Sequence, residues 1–364
     1  MTSFDAVAWA RRLFNVKKIG HCGTLDPDAA GVLPLCVGAA TGASEYLSGS
    51  RKAYRVEALA GLLTDTLDTS GAIISLDGSK MPEIDRFLAV LSAFVGVNKQ
   101  TPPMYSAIKV GGQKLYKLAR KGVEATLTPR RIEIYSLTVA FYAKDRVIFD
   151  VECSKGTYVR ALCRDLGEAL GINLCMSFLL RTKSAGLCID DALTIEKIEE
   201  MSAAGIAKSA LIPTDAMFCD DPEVRLSDDQ YKRYVNGADV MLHEAPVDGP
   251  RPHAGAGGAG GAGISADAQP TAPPVTPLVA PPTAPQTAPP ATPLVAPPTA
   301  PLVALPIAPQ TAPPVTPLVV SPVALGNEIR VRVYYSDVFL GLGTLTPLST
   351  GNAVLHVMKF MFER

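Results

Sequence analysis

Apolar positions along the first 215 residues follow two rhythms. In residues 3–14, Phe4, Val7, Ala8 and Phe14 share one side of a 3.6-residue period. Ser3 precedes them as an N-cap, and the pattern predicts a short amphipathic helix. Residues 147–153 (VIFDVEC) read as a strand. A Ser-Lys-Gly turn follows, and Thr157 can cap a second helix that points Leu162, Cys163, Leu166 and Leu170 inward. The βαβ rhythm of a doubly wound sheet is absent. The pattern therefore predicts an α+β fold with a mixed, largely antiparallel sheet flanked by helices.

Beyond residue 216 the pattern is mostly strand. Residues 223–227 form a strand candidate, and Ser227-Asp228-Asp229 leads into a short helix ending near Gly237. Residues 328–335 alternate cleanly, with Ile329, Val331 and Val333 on one face and Arg330 and Arg332 on the other. Segments 338–345 and 354–362 are further strand candidates. Between these pieces the pattern breaks. Residues 246–322 hold 22 of the 31 prolines and, after Arg251, a single charged residue, Asp267. There TAPPVTPLVAPPTAPQ (271–286) recurs almost unchanged at 287–302. So proline-dense a repeat suits neither helices nor central strands, and it predicts extended polyproline or disorder. The flanking strands are too few to stand apart. The repeat reads as an insert, about 246–324, within a small β-rich domain spanning 216–364. Residues 1–215 form the larger domain.

Composition changes this picture little. The chain has 364 residues, 48% of them apolar, which suits two domains with real cores. No uncharged apolar run reaches membrane-spanning length, and Met-Thr-Ser-Phe-Asp lacks a signal-peptide layout. A cytoplasmic protein is expected. Residues 1–218 carry 26 basic and 23 acidic side chains against 8 and 12 in 219–364, so a polyanion would be gripped locally by the first part. Seven scattered cysteines argue against a disulfide framework and a structural zinc site. His21 beside Cys22 invites a metal reading, but four spaced ligands do not appear.

Three segments can carry chemistry. Residues 20–33 form a Gly-, Asp- and Pro-rich loop able to present Asp26, although Asp26-Pro27 alone reads first as the start of a turn. Arg160 lies in the first turn of a helix that follows a strand, where it can pair with a carboxylate or merely form a surface ion pair. Lys109, Lys114, Lys117, Arg120 and Lys121 arrive with no acidic residue before Glu124, and Tyr105 and Tyr116 are interleaved. Lys114, Lys117 and Lys121 share a face if the segment is helical. That makes either a phosphate-binding arm or a solvated helix face. No nucleotide-binding glycine loop and no G-x-S-x-G elbow is present.

Together these segments resemble the TruB family of tRNA pseudouridine synthases. GHCGTLDPDAAGVLPLCVGAAT is similar to the family's catalytic motif, with its aspartate on Asp26. KAYRVEALAGLLTDTLDTSG resembles the next motif and puts the active-site tyrosine at Tyr54. TPPMYSAIKVGGQKLYKLARKG looks like the arm that grips the T-stem and loop, here about residues 103–131. CSKGTYVRALCRDLGEALG carries the family's arginine at Arg160, with Tyr158 close by, and FLLRTKSAG places Leu179 against the base. The resemblance implies a pseudouridine synthase fold with a PUA-like RNA-binding C-terminal domain, split here by the repeat. The implied reaction is isomerisation of uridine 55 in the T-loop of tRNA. The base would leave its stack, and His21 would fill the vacated space. Asp26 would act as a nucleophile at C1′ or C6, or as a base at C2′, kept ionised by Arg160. Tyr54 would stack on the uracil near C5. No cofactor or metal is implied, the partner is the tRNA T-arm, and a monomer is expected.

Two departures stand out. In the family a strand and a Lys-Pro-x-Gly motif precede Met-Thr-Ser, where this sequence begins. The expectation is a true N-terminus tens of residues upstream. The rival reading is a tRNA-binding or tRNA-folding protein with reduced or no catalysis for want of that segment. Retention of Asp26, Tyr54 and Arg160 together favours the enzyme. Inside the first motif, Cys22 replaces the usual threonine, and Asp28 stands where an apolar residue is common. Asp28 is expected to point away from Asp26.

Overall fold

The computed structural model describes residues 1–110, 112–119, 121–122, 127–243, 324–325, 328–349 and 352–361. Arg120, residues 246–323 of the proline-rich insert and Phe362 lie outside the described residues, as do the side chains of Lys109, Lys114 and Lys117. Met1–His253 and Ser321–Arg364 belong to one compact unit. Among the described residues, no helix is long and apolar enough to cross a membrane.

A seven-stranded sheet organises the first segment. Its order is Leu187–Cys188, Leu174–Ser184, Lys52–Ala60, Arg146–Cys153, Arg130–Tyr142 and Gly96–Gln100, each antiparallel to its neighbour. Ala30–Gly31 adds a short parallel strand beside Leu174–Ser184. The sheet is mixed and largely antiparallel, as the patterning predicts. Strand Lys52–Ala60 shows why it forms. Lys52, Tyr54, Val56 and Ala58 turn inward, while Arg55 and Glu57 face out and pair across the strand with Asp150 and Arg146.

Helix Val159–Leu170 covers the inward face with Leu162, Cys163, Leu166 and Leu170, all as expected. Helix Ile84–Ala93 adds Phe87 and Leu91. Each such fully buried side chain contributes about 1.5–3 kcal/mol. The Val159–Leu170 helix ends at Gly171, whose φ of 73° provides the left-handed cap. Its N-cap is Tyr158, without a side-chain bond; Thr157 instead donates to the Ser154 carbonyl. Helix Ser3–Phe14 also departs from expectation. Ser3, Ala6, Val7 and Ala10 face inward, and Phe4, a third of a turn away, is 66% exposed.

A six-stranded sheet organises the second segment, in the order Glu223–Leu226, Glu328–Tyr335, Val338–Pro347, Ala353–Phe360 and Val240–Leu242, with Ala324–Leu325 also on Glu328–Tyr335. The expected strands lie within two residues of these bounds. Ser227 and Gln230 form a capping box on helix Asp228–Val235. Val331 and Val333 enter the core, as the alternation requires. The opposite face is covered too. Arg332 is 1% exposed, and Arg330 meets the buried Asp221 through two bonds of 2.6 and 3.0 Å. A third apolar cluster joins Cys22, Cys36, Ala43 and Leu47 to Phe218, Leu342 and Met361.

Candidate active site

Strands Ile19–His21 and Leu35–Val37 pair antiparallel, and the chain between them forms the loop that carries Asp26. Three anchors hold it. Ser3 Oγ accepts the Leu25 N–H at 2.9 Å. Ala30 and Gly31 dock beside Leu180 and Arg181, and Val32 N–H donates to the Arg181 carbonyl at 2.9 Å. A Cβ on Gly31, whose φ is 105°, would collide with that same carbonyl. The buried Arg181 guanidinium then donates to Val32 O (2.8 Å), Thr24 O (3.2 Å) and Gly23 O (3.1 Å). One cation thus serves three loop carbonyls, of which that of Val32 lies buried.

Asp26 sits at the loop's open side, 40% exposed, and meets Arg160 Nε at 2.9 Å through Oδ2. Arg160 is only 7% exposed, and both of its terminal nitrogens are engaged as well. One terminal nitrogen donates to Thr66 O at 2.9 Å, the other to Tyr105 O at 3.0 Å, and Nε lies 3.5 Å from Asp68. Asp68 is itself fixed by the Thr66 and Ser70 hydroxyls, both at 2.6 Å. The guanidinium is therefore locked, and one edge of it aims at the exposed carboxylate. Asp28 is exposed, as expected, and no described ion pair involves it.

Tyr54 and Leu179 come from adjacent strands of the large sheet. Tyr54 is opposite Arg181 in register, and Leu179 is opposite Val56. Both are buried, at 9% and 6%. Burial is the main cause that pushes the Tyr54 phenol up to about 12, and a hydrogen bond from Arg181 opposes it. Tyr54 is a neutral phenol at pH 7. His21 ends its strand two positions from Gly23, with Nδ1 buried and unpaired. Burial first, and then the nearby Arg181 cation, lowers its pKa, so the ring is uncharged at pH 7. Tyr158 is held through its backbone by the Gln100 amide, which accepts at 2.9 Å and donates at 3.1 Å.

The family model of the TruB family pseudouridylate synthase N-terminal domain matches residues 11–159. The tRNA pseudouridine synthase B of Alkaliphilus oremlandii (strain OhILAs) is 50% identical over 216 residues, 59% of this chain and 71% of that protein. The chain belongs to the TruB family. The tRNA pseudouridine synthase B of Symbiobacterium thermophilum is 46% identical over 65% of this chain and 78% of its own length. Among solved structures, a Cbf5–Nop10–Gar1 complex superposes with a TM-score of 0.52 at 27% identity, covering 66% of this chain and 65% of that one.

Set against the TruB motifs, the structure brings Asp26, Arg160, Tyr54 and Leu179 to one end of the sheet but treats the basic segment differently. Helix Leu115–Ala119 is five residues long; Lys114 ends a two-residue strand before it and Lys121 lies in a turn after it. The three lysines therefore do not share a helical face. The local cause is the close pairing of Lys109–Val110 with Gln113–Lys114, which commits the preceding residues to a hairpin. Lys121 is exposed. Arg181, Asp68 and Ser3 were not singled out as site residues. Arg181 did carry a signal: a charged residue on the inward alternation of an apolar strand, two positions from Leu179. Asp68 stands in a Thr/Ser-rich loop of the kind that folds around a carboxylate. Ser3 had none, because it reads fully as a helix cap.

Proposed function

We propose that this chain isomerises uridine 55 in the T-loop of tRNA to pseudouridine, with Asp26 as the reacting carboxylate. The observation that carries the reading is the pairing of a 40% exposed Asp26 with a guanidinium that is 7% exposed and held behind by the Thr66 and Tyr105 carbonyls. A carboxylate held so can meet a ribose or a base without leaving its cation. The reaction breaks the N1–C1′ bond and forms C5–C1′; C5 loses a proton and N1 gains one. No electrons leave the nucleoside, so the balance calls for no redox partner.

The other residues take parts their positions support. Tyr54, opposite Arg181 in register, offers a neutral ring face for stacking beside the place where C5 would lie. Leu179 walls the base, and Tyr158 borders the pocket. His21, neutral and with Nδ1 unpaired, would fill the gap left by the extruded base, where a charge would cost desolvation. Lys109, Lys114, Lys117, Arg120 and Lys121, within the arm at 103–131, would hold phosphates. The 1–215 segment would be the catalytic domain and 216–364 a PUA-like RNA-binding domain carrying the insert. The same reading has the protein acting as a monomer in the cytoplasm, where free thiols such as its seven persist.

The test is incubation of the purified chain with T-arm RNA, scored for pseudouridine. Asp26→Asn should lower conversion by at least about a thousandfold while RNA affinity changes little. Binding without conversion by the unmodified protein would leave it a tRNA-binding protein instead.

A further inference from the structure

Cys22 and Cys36 lie outside the proposed chemistry, yet they meet at the root of the Asp26 loop. In the paired strands Cys36 is opposite Gly20, so Cys22, two residues on, projects to the same side as Cys36. Their sulfurs are 3.3 Å apart. Both are buried, at 0% and 5%, with Cys36 the more open. Cys22 N–H is anchored on Pro34 O at 3.0 Å, so the two backbones are already held in place. A disulfide needs a sulfur separation of about 2.05 Å, so about 1.3 Å of closure is required, within reach of side-chain rotation and a small backbone shift.

The chemistry is directional. The hydrogen bond between the two sulfurs, in which either can be the donor, is the main cause that pulls the Cys36 thiol down, opposed by burial and aided by Ser44. The same contact, with burial, pushes Cys22 up. Cys36, the more open of the two, is placed as the attacking sulfur and Cys22 as the resolving thiol.

We propose that Cys22 and Cys36 are a modification site, a dithiol that a peroxide converts reversibly to a disulfide and that thereby slows catalysis at Asp26. The second half of this statement rests on the isomerase reading. Cys36 sulfur attacks one peroxide oxygen and the O–O bond breaks. Cys36 becomes a sulfenic acid, and the departing hydroxide takes a proton to leave as water. Cys22 sulfur then attacks the sulfenic sulfur. The S–S bond forms, the S–O bond breaks, and the second hydroxide leaves as water with the Cys22 proton. Two thiols and one peroxide give one disulfide and two waters.

The consequence follows from position. Cys22 immediately precedes Gly23 and Thr24, whose carbonyls Arg181 holds, and Asp26 lies two residues further on. Drawing Cys22 towards Cys36 shifts the root of a loop whose carboxylate must stay 2.9 Å from Arg160. Misplacement of a reacting group by about 1 Å costs up to about a hundredfold in rate.

Hydrogen peroxide supplies the test, used on the full chain and followed by thiol blocking under denaturing conditions. Trypsin cuts after Lys18 and Arg51 but nowhere between, so both cysteines fall in the 19–51 fragment. That fragment should resist blocking and be lighter by two hydrogen atoms. Turnover on T-arm RNA should fall at least about tenfold and return with dithiothreitol. Cys22→Thr, and separately Cys36→Ser, should keep the activity after peroxide. A fragment that carries only sulfinic or sulfonic acid, or a bond to another cysteine, overturns the proposal. A disulfide that leaves turnover unchanged, or an equal loss in both variants, overturns its control of catalysis. Untreated protein that forms no pseudouridine would sink the isomerase reading instead, and the fragment mass still reports the bond.

Discussion

At the scale of single residues, Asp26 and Tyr54 show how environment sets two neighbouring groups apart. Asp26 is open to solvent beside a cation, whereas Tyr54 is buried and neutral. The phenol has a measurable consequence. Its folded pKa, about 12, stands above the value of 10 for an unfolded chain, so the folded state keeps its proton longer. The stabilisation is complete below pH 10 and is lost as pH rises from 10 to 12, to the extent of about 2–3 kcal/mol. Urea unfolding across that range should show the loss in the unmodified protein. Tyr54→Phe should lack that part of the slope, and an identical slope would contradict the burial argument. Asp26 itself was visible in the sequence as a loop carboxylate. A turn-forming Asp-Pro looks the same until Arg160, 134 positions away, is brought to it.

At the scale of elements, the loop owes its shape to a strand distant in sequence. Arg181 on Leu174–Ser184 binds three of its carbonyls and also touches Tyr54. Arg181→Met keeps the apolar stem but leaves those carbonyls without donors, at a cost of about 1–3 kcal/mol each where water cannot enter. The expected outcome is a lower urea midpoint and a drop in kcat of about tenfold to a hundredfold, with KM changed far less. Arg181→Lys should recover stability in part, since an ammonium reaches fewer acceptors than a planar fork. A variant with normal kcat would remove Arg181 as a positioning residue. Leu179 was legible only through the motif FLLRTKSAG. The carbonyls that Arg181 serves were not, because they belong to a loop paired only through tertiary contact.

At the scale of the whole molecule, an apolar cluster ties the root of the Asp26 loop to the C-terminal sheet, and an ionic cluster holds the edge of that sheet. Phe218, Leu342 and Met361 pack with Cys22, Cys36 and Leu47. Beside them Asp221, 1% exposed, neutralises Arg330, while Arg332 reaches Asp221 O and Glu223. Asp221→Ala would strand a half-buried guanidinium, at a cost of about 3–5 kcal/mol. The C-terminal sheet should then open at lower urea than the large sheet, read by hydrogen exchange on residues 328–347 against 146–153. Exchange unchanged in both would show the pair to be dispensable. The sequence set Arg330 and Arg332 on one face but not what covers it, because alternation marks only which residues share a face.

Short-range order was largely determined by the sequence alone: the helix carrying Arg160, the C-terminal strands, the α+β class and the motif around Asp26. These follow from period and turn chemistry, which act within a few residues. Only the tertiary structure decided which groups meet. It brought Arg160 to Asp26, placed Arg181 under the loop, set Cys22 beside Cys36 and closed Asp221 over Arg330. Each of these pairings joins residues whose separation along the chain leaves no local pattern, and each is held by burial that exists only once the sheets have formed.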